Sequence, residues 1–145
     1  MKIKVAACQL VLNIENPEEN LLSICDAVSK CVAAGAQLIV IPELSNSGYV
    51  FKNLTELIDR SWALSDSRFE KLRVILSTGD AILVGGFALS VEGEYFNASV
   101  VLDKSGVCGW YPKAHLFNDE KDFFTAGNHE PLIVDTPIEI GRAHV

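Results

Sequence analysis

Apolar positions along the chain follow two alternating periods, and this pattern predicts an α/β fold. An apolar run at residues 3–10 predicts a first strand. Asn16 and Pro17 then carry the signature of a helix start, followed by apolar side chains at three- and four-residue steps. Gly35 is suited to end this helix in a left-handed conformation. A second apolar strand is predicted at residues 37–41.

The middle of the chain continues this alternation. Residues 54–64 are predicted to be helical in part, and the Ser-Asp-Ser cluster at 65–67 predicts the cap of a further amphipathic helix that runs to Leu76. A third strand is predicted at 81–86. It closes on Gly85-Gly86, a pair that indicates either a close backbone approach or an unusual dihedral angle.

The last third of the chain consists of strand after strand. Strands are predicted at residues 87–91, 95–102 and 107–111, and a further short one at 132–134. A strand–helix–strand–helix–strand start followed by a β-meander fits an α/β sandwich.

Composition excludes several classes of protein. Of the 145 residues, 49% are apolar and 21% charged, which indicates a globular chain. The net charge of −7 and the lack of a Lys/Arg cluster argue against a nucleic-acid partner. No apolar run approaches the roughly 20 residues that span a bilayer, so we expect no membrane association. We find no signal sequence and expect a cytoplasmic protein.

The four cysteines, at positions 8, 25, 31 and 108, lack the spacing of zinc ligands. In a reducing compartment they are best interpreted as small buried apolar side chains. No metal site is predicted from them.

Two charged residues stand in apolar surroundings. Glu43 follows the apolar strand within Pro42-Glu43-Leu44, and Lys113 lies in the aromatic segment YPKAHLF at 111–117. Catalysis would explain both, although Glu43 could instead be an exposed acid at a strand end and Lys113 a solvated lysine.

Together these segments resemble the nitrilase or carbon-nitrogen hydrolase superfamily. Pro-Glu-Leu is followed by Gly48-Tyr49, Asn97 is similar to the residue at this place in the family's intervening strand, and the segment 111–117 is followed by Glu120, in the order that the family shows. The resemblance implies a four-layer αββα sandwich, of which this chain would be the N-terminal half. Residues 1–145 would then form a partial carbon-nitrogen hydrolase domain. The Lys-x-His-Leu-Phe form is more similar to the amidase, ω-amidase and N-carbamoyl amino-acid hydrolase branches than to true nitrilases.

The resemblance also implies roles. Members of the family hydrolyse non-peptide carbon–nitrogen bonds with a Glu-Lys-Cys triad, so Glu43 would be the general base and Lys113 the cation that stabilises the tetrahedral intermediate. Glu120 would support Lys113, unless it is a solvated loop acid. Tyr49 would line the substrate pocket, or else serve packing. No cofactor or metal is implied.

The end of the chain departs from the family pattern. Residues 138–145 are atypical, and the position expected for the nucleophilic cysteine is Val145. Two interpretations compete: a truncated chain with a non-native tail, or a degenerate relative that binds a small molecule or a protein without catalysis. We favour truncation, because the upstream segments keep the catalytic pattern. The 145-residue piece would then be inactive.

The resemblance finally implies partners for the intact parent. The substrate would be a small amide, carbamoyl compound or nitrile, with a carboxylic acid and ammonia as the products of amide hydrolysis. The parent would be a homodimer or a higher oligomer.

Overall fold

The computed structural model describes residues 2–128 and 130–138, in which helices and strands alternate and then give way to a β-meander. In chain order the elements are β1 (Val5–Ala7), α1 (Pro17–Ala33), β2 (Leu38–Val40), α2 (Leu54–Arg60), β3 (Trp62–Ala63), α3 (Ser67–Ser77), β4 (Ile82–Val91), β5 (Glu94–Asp103), β6 (Gly106–Pro112) and a 3₁₀ helix (Asn118–Asp122).

The strands form one mixed sheet in the order β1-β2-β4-β5-β6. The first three of these pair in parallel, and β4, β5 and β6 pair antiparallel through short turns. The short strand β3 pairs in parallel with the C-terminal end of β4. One half of the sheet therefore consists of parallel strands joined by helical crossovers, and the other half is an antiparallel meander, as the hydrophobic pattern predicts.

The predicted helix signals are confirmed. The Asn16 side chain accepts a hydrogen bond from the Glu19 N–H at 3.3 Å, and Pro17 occupies the first turn of α1. Gly35 follows the helix with φ of +78°, in the left-handed region. Helix α3 begins after Asp66, whose carboxylate accepts from the Arg68 N–H at 2.9 Å.

The main core lies between the sheet and the helices α1 and α3. Fully buried residues from the two helices, such as Ile24 and Leu72, pack there with Phe87 and Leu89 of β4 and Val100 of β5. Neighbouring residues of a strand point to opposite faces, so Ala88 belongs to a second cluster on the other face. The members of that cluster are Leu44, Phe51, Leu57, Ala88 and Phe124.

The predicted end of a strand at Gly86 is wrong, because β4 runs without interruption through Gly85 and Gly86. A Cβ atom built on Gly86 would lie 2.4 Å from the Glu43 Cα. Of the two explanations for the glycine pair, the close backbone approach therefore holds: the segment that carries Glu43 lies directly against β4.

Other boundaries also differ. Strands β1 and β2 are shorter than the apolar runs at 3–10 and 37–41, because the outer residues of those runs lie beyond the paired register. The strand predicted at 132–134 is absent from the described structure. There Leu132 lies over Gly109, at 2.8 Å from a Cβ built on that glycine, so the segment packs through its side chain. No helix in the described ranges is long and apolar enough to cross a membrane.

Candidate active site

Glu43 is held against the sheet by backbone hydrogen bonds on both sides of it. Beyond the end of β2, the Gly86 N–H donates to the Pro42 carbonyl at 3.1 Å, and the Ser45 N–H donates to the Gly86 carbonyl at 2.8 Å. Leu44 adopts φ of +48°, which turns the chain away from the strand. The Glu43 side chain is consequently presented at the C-terminal edge of the parallel strands, where α/β folds commonly place their sites.

Lys113 follows the last residue of β6 and is also fixed through its backbone. Its N–H donates to the Asn97 carbonyl on β5 at 2.8 Å, and its carbonyl accepts from the Gly127 N–H at 2.9 Å. A Cβ atom on Gly127 would lie 2.4 Å from the Pro112 carbonyl oxygen, so a glycine is needed for this approach. The backbone at Lys113 is therefore held from both sides.

The structure brings Glu43, Lys113 and Glu120 into direct contact. The Lys113 Nζ lies 2.9 Å from the Glu43 Oε1 and 3.0 Å from the Glu120 carboxylate. The Glu120 side chain is 19% exposed, whereas those of Glu43 and Lys113 are 40% and 32% exposed. The interpretation of Glu120 as a solvated loop acid is therefore wrong, and the lysine lies between two carboxylates.

Asn97 is a fourth member of this cluster. It lies on β5, is 3% exposed, and its Nδ2 donates to the Oε1 atoms of Glu43 and Glu120 at 2.7 and 2.9 Å. Its match to the family pattern carried no predicted role. A signal was present, since an asparagine interrupts the otherwise apolar and small residues 96–102, and asparagine is depleted in strands.

The two oxygens of Glu43 have different surroundings. Its Oε1 accepts hydrogen bonds from both Lys113 and Asn97. Its Oε2 is 3.4 Å from the Tyr49 hydroxyl, which also donates to the Glu43 backbone carbonyl at 3.1 Å. In the described contacts, Oε2 is thus the less engaged oxygen.

Contacts within the cluster shift the pKa values of Glu43 and Lys113. Burial acts to raise the pKa of Glu43, but the hydrogen bonds from Lys113 and Asn97 together outweigh it, so this pKa lies below its ordinary value. For Lys113, burial acts to lower the pKa, and the bonds to Glu43 and Glu120 outweigh it and raise the pKa. At neutral pH the pair is therefore carboxylate and ammonium.

A cavity of about 360 Å³ opens beside the cluster. Glu43, Lys113 and Glu120 lie in its wall, together with Tyr49, whose pKa is raised by burial and by the Glu43 charge. The remaining wall is mainly apolar and includes Leu44, Val50, Phe51, Phe117, Phe123 and Phe124. Such a cavity, with a few polar groups on an apolar wall, suits a small organic ligand.

None of the four cysteines lines this cavity. Burial raises the pKa of Cys8 to about 11, and the Cys8 and Cys31 sulfurs lie 3.6 Å apart. Burial also raises the pKa of Cys25. Cys108 is exposed, contrary to the prediction that it is buried. It lines a larger cavity of about 600 Å³ between α3 and β6, whose lining contains no predicted site residue.

The chain matches the model of the carbon-nitrogen hydrolase family over residues 4–143, and it therefore belongs to that family. The expected position of the nucleophile, Val145, lies outside the described residues, as does most of the atypical segment 138–145.

The chain is also similar to curated relatives along most of its own length. The chain is 28% identical to a nitrilase from Pyrococcus abyssi over 87% of this chain and 48% of the relative. It is 29% identical to a 2-oxoglutaramate amidase from Bacillus subtilis over 90% of this chain and 50% of the relative. The chain thus spans about half the length of these curated relatives.

Solved structures agree with this fold. A mutant of the amidase from Nesterenkonia sp. AN1 matches with a TM-score of 0.73 and 25% identity, over 90% of this chain and 50% of that chain. That structure has the acetamide moiety of fluoroacetamide added covalently at its active site cysteine. The mixed α/β sheet with helices, and its kinship with the nitrilase superfamily, are as predicted from the sequence.

Proposed function

We propose that the protein to which this chain belongs hydrolyses small non-peptide amides through a thiol mechanism, with Glu43 as general base and Lys113 as the stabilising cation. The observation that carries the proposal is the contact of the Lys113 ammonium with two carboxylates in the wall of a mainly apolar cavity. Family membership supports it, as do the amidases among the relatives.

The chemistry needs a nucleophile that these residues do not supply. In the proposal it is a cysteine outside the four of this chain, as the covalent adduct on the Nesterenkonia amidase suggests. Glu43 would take the thiol proton, and the thiolate would add to the amide carbonyl. Lys113 would stabilise the resulting oxyanion, since a fixed ammonium requires little reorganisation as charge develops.

The remaining steps follow from the same groups. Glu43 would give its proton to the departing nitrogen, which leaves as ammonia and yields a thioester. It would then accept a proton from the water that attacks the thioester, which releases the carboxylic acid and regenerates the thiol. Glu120 would hold Lys113 in place, because both of its oxygens are already engaged within the cluster.

In this proposal, residues 1–145 are part of a carbon-nitrogen hydrolase domain and do not form a working enzyme by themselves. The alternative of a non-catalytic binding module depends on Val145, and no described residue favours it. The predicted homo-oligomeric state of the parent stays a prediction.

Ammonia release tests the proposal. The whole protein is incubated with an aliphatic amide, 2-oxoglutaramate, an N-carbamoyl amino acid and an aliphatic nitrile, and ammonia is measured with a coupled dehydrogenase assay. We expect release from at least one amide, and none from residues 1–145 alone. Release from no amide by the folded whole protein would count against the proposed function.

A further inference from the structure

Asn97 joins the two carboxylates of the site through one amide group. Its Nδ2 lies 2.7 Å from the Glu43 Oε1 and 2.9 Å from the Glu120 Oε1. Ionised carboxylates only accept hydrogen bonds, so the nitrogen of the amide, and not its oxygen, must face them. The two N–H groups of the amide can supply one bond to each acid.

The backbone of the same residue sets the position of the lysine. The Asn97 carbonyl accepts from the Lys113 N–H at 2.8 Å, at the point where the antiparallel pairing of β5 with β6 ends. Asn97 is only 3% exposed, and its strand is paired on both sides, so its side chain has little freedom to move. Asn97 therefore holds the two acids near each other through its side chain and fixes the backbone position of Lys113 through its carbonyl.

This arrangement distinguishes the carboxylate oxygens. The Glu43 Oε1 accepts from both Nδ2 of Asn97 and Nζ of Lys113. The Glu120 Oε1 accepts from the same two donors, and the Glu120 Oε2 accepts from the Phe117 N–H at 2.7 Å. The Glu43 Oε2 has only the 3.4 Å contact with the Tyr49 hydroxyl. It is the carboxylate oxygen of the cluster with the most capacity to take a proton.

We propose that Asn97 is a positioning residue, which saturates the Oε1 of Glu43 so that the proton of the attacking thiol is transferred to Oε2. This inference rests on the proposed function. It adds a residue for which the sequence analysis predicted no role, and it assigns the proton transfer to one oxygen. Asn97 does not itself touch the reacting atoms in this account.

The test uses Asn97→Asp and Asn97→Leu in the whole protein. Both variants are close to asparagine in shape, and both remove the N–H donors, so either can carry the test if the other fails to fold. Two quantities are measured: the titration of the Glu43 carboxyl carbon by NMR, assigned with Glu43→Gln, and the pH profiles of kcat and KM for ammonia release.

We expect the pKa of Glu43 and the acidic limb of the kcat profile to move upward together in both variants. The charged form of Glu43 loses the N–H donor in each, and the aspartate variant adds a third acid beside Glu43 and Glu120, which raises the pKa of the coupled group. We expect kcat to fall by about ten- to a hundredfold, the effect of displacing a catalytic group from its reactive position, with little change in KM.

Asn20→Asp is the matched control. Asn20 is 1% exposed, and its Nδ2 donates to the Asn13 carbonyl at 2.9 Å, so the same substitution removes a buried donor away from the cluster. We expect it to lower the melting temperature without moving the Glu43 titration. The control thus shows whether a fall in stability by itself changes the Glu43 titration, as loss of the Asn97 contact is expected to do.

The outcomes separate this inference from the proposed function. An unchanged Glu43 titration or an unchanged kcat in a folded Asn97 variant overturns the positioning role. Full activity of Glu43→Gln would instead remove the proposed function. Because the NMR titration needs no turnover, it tests the contact between Asn97 and Glu43 even in an inactive protein.

Discussion

Glu43→Gln is expected to reduce kcat for amide hydrolysis by the whole protein about 10²–10⁴-fold, the usual contribution of a general base. Glutamine keeps the shape of the side chain, but it cannot take a proton from the thiol. The Glu43 pKa lies below its ordinary value in this structure, so the wild-type carboxylate is deprotonated, and able to accept a proton, throughout the neutral range. The measurement is steady-state ammonia release, with KM determined in parallel.

Glu18→Gln provides the matched control. Glu18 is an exposed acid in the first turn of α1, and the exchange removes one negative charge away from the cavity. We expect its kcat to equal that of the wild type. If Glu43→Gln and Glu18→Gln were equally active, Glu43 would not be the base.

Lys113→Met is expected to lower kcat about 10²–10³-fold, the cost of removing one group that stabilises an oxyanion. Methionine preserves most of the apolar stem while it removes the ammonium. The variant also leaves the carboxylates of Glu43 and Glu120 near each other without their shared cation. We therefore expect the pKa of Glu43 to rise.

The stability of the Lys113→Met variant should depend on pH in a definite direction. In the wild type, the lowered pKa of Glu43 contributes stability above pH 4.5, which is lost as the pH falls through the folded-state value. In the variant the sign reverses, because protonation relieves the repulsion between the two acids. The melting temperature, relative to wild type, should thus recover as the pH falls towards 4.5.

Lys104→Met controls for the loss of a salt bridge as such. The Lys104 Nζ lies 2.6 Å from the Asp80 Oδ1, and both side chains are more than half exposed. We expect this variant to keep its kcat and to lose little stability, since exposed ion pairs contribute about 1 kcal/mol or less. A Lys113→Met variant with the same kcat as Lys104→Met would contradict the role of Lys113.

The sequence was sufficient to select Glu43 and Lys113, because each is a charged residue in an apolar segment and the two segments resemble one family. It was also sufficient for α1 and α3, whose caps are local signals. Asn97 was recognised as a position that matches the family but was given no role, since its position between two acids depends on the register of β5 with β6 and on the path of residues 113–120. No periodicity within the strand encodes those distances.

The errors have a similar cause. Gly86 was predicted to end a strand. Its lack of a side chain instead allows the backbone of Glu43, more than forty residues earlier in the chain, to lie directly against β4. Leu132 and Ile133 have side chains that favour a strand. A strand also needs a partner strand to which it can hydrogen-bond, and the local sequence does not show whether one is present. These two errors concern contacts between distant segments.

Covalent labelling of the whole protein with iodoacetamide, a general thiol alkylating agent, tests the central claim most directly. Thiolates are the reactive form of cysteine, and the raised pKa values of Cys8, Cys25 and Cys108 keep these thiols protonated at neutral pH. We predict one acetamide group, located by peptide mass spectrometry on a cysteine outside the four of this chain, with slower labelling in Glu43→Gln and Lys113→Met. Labelling confined to the cysteines of this chain, or equal rates in wild type and both variants, would contradict it.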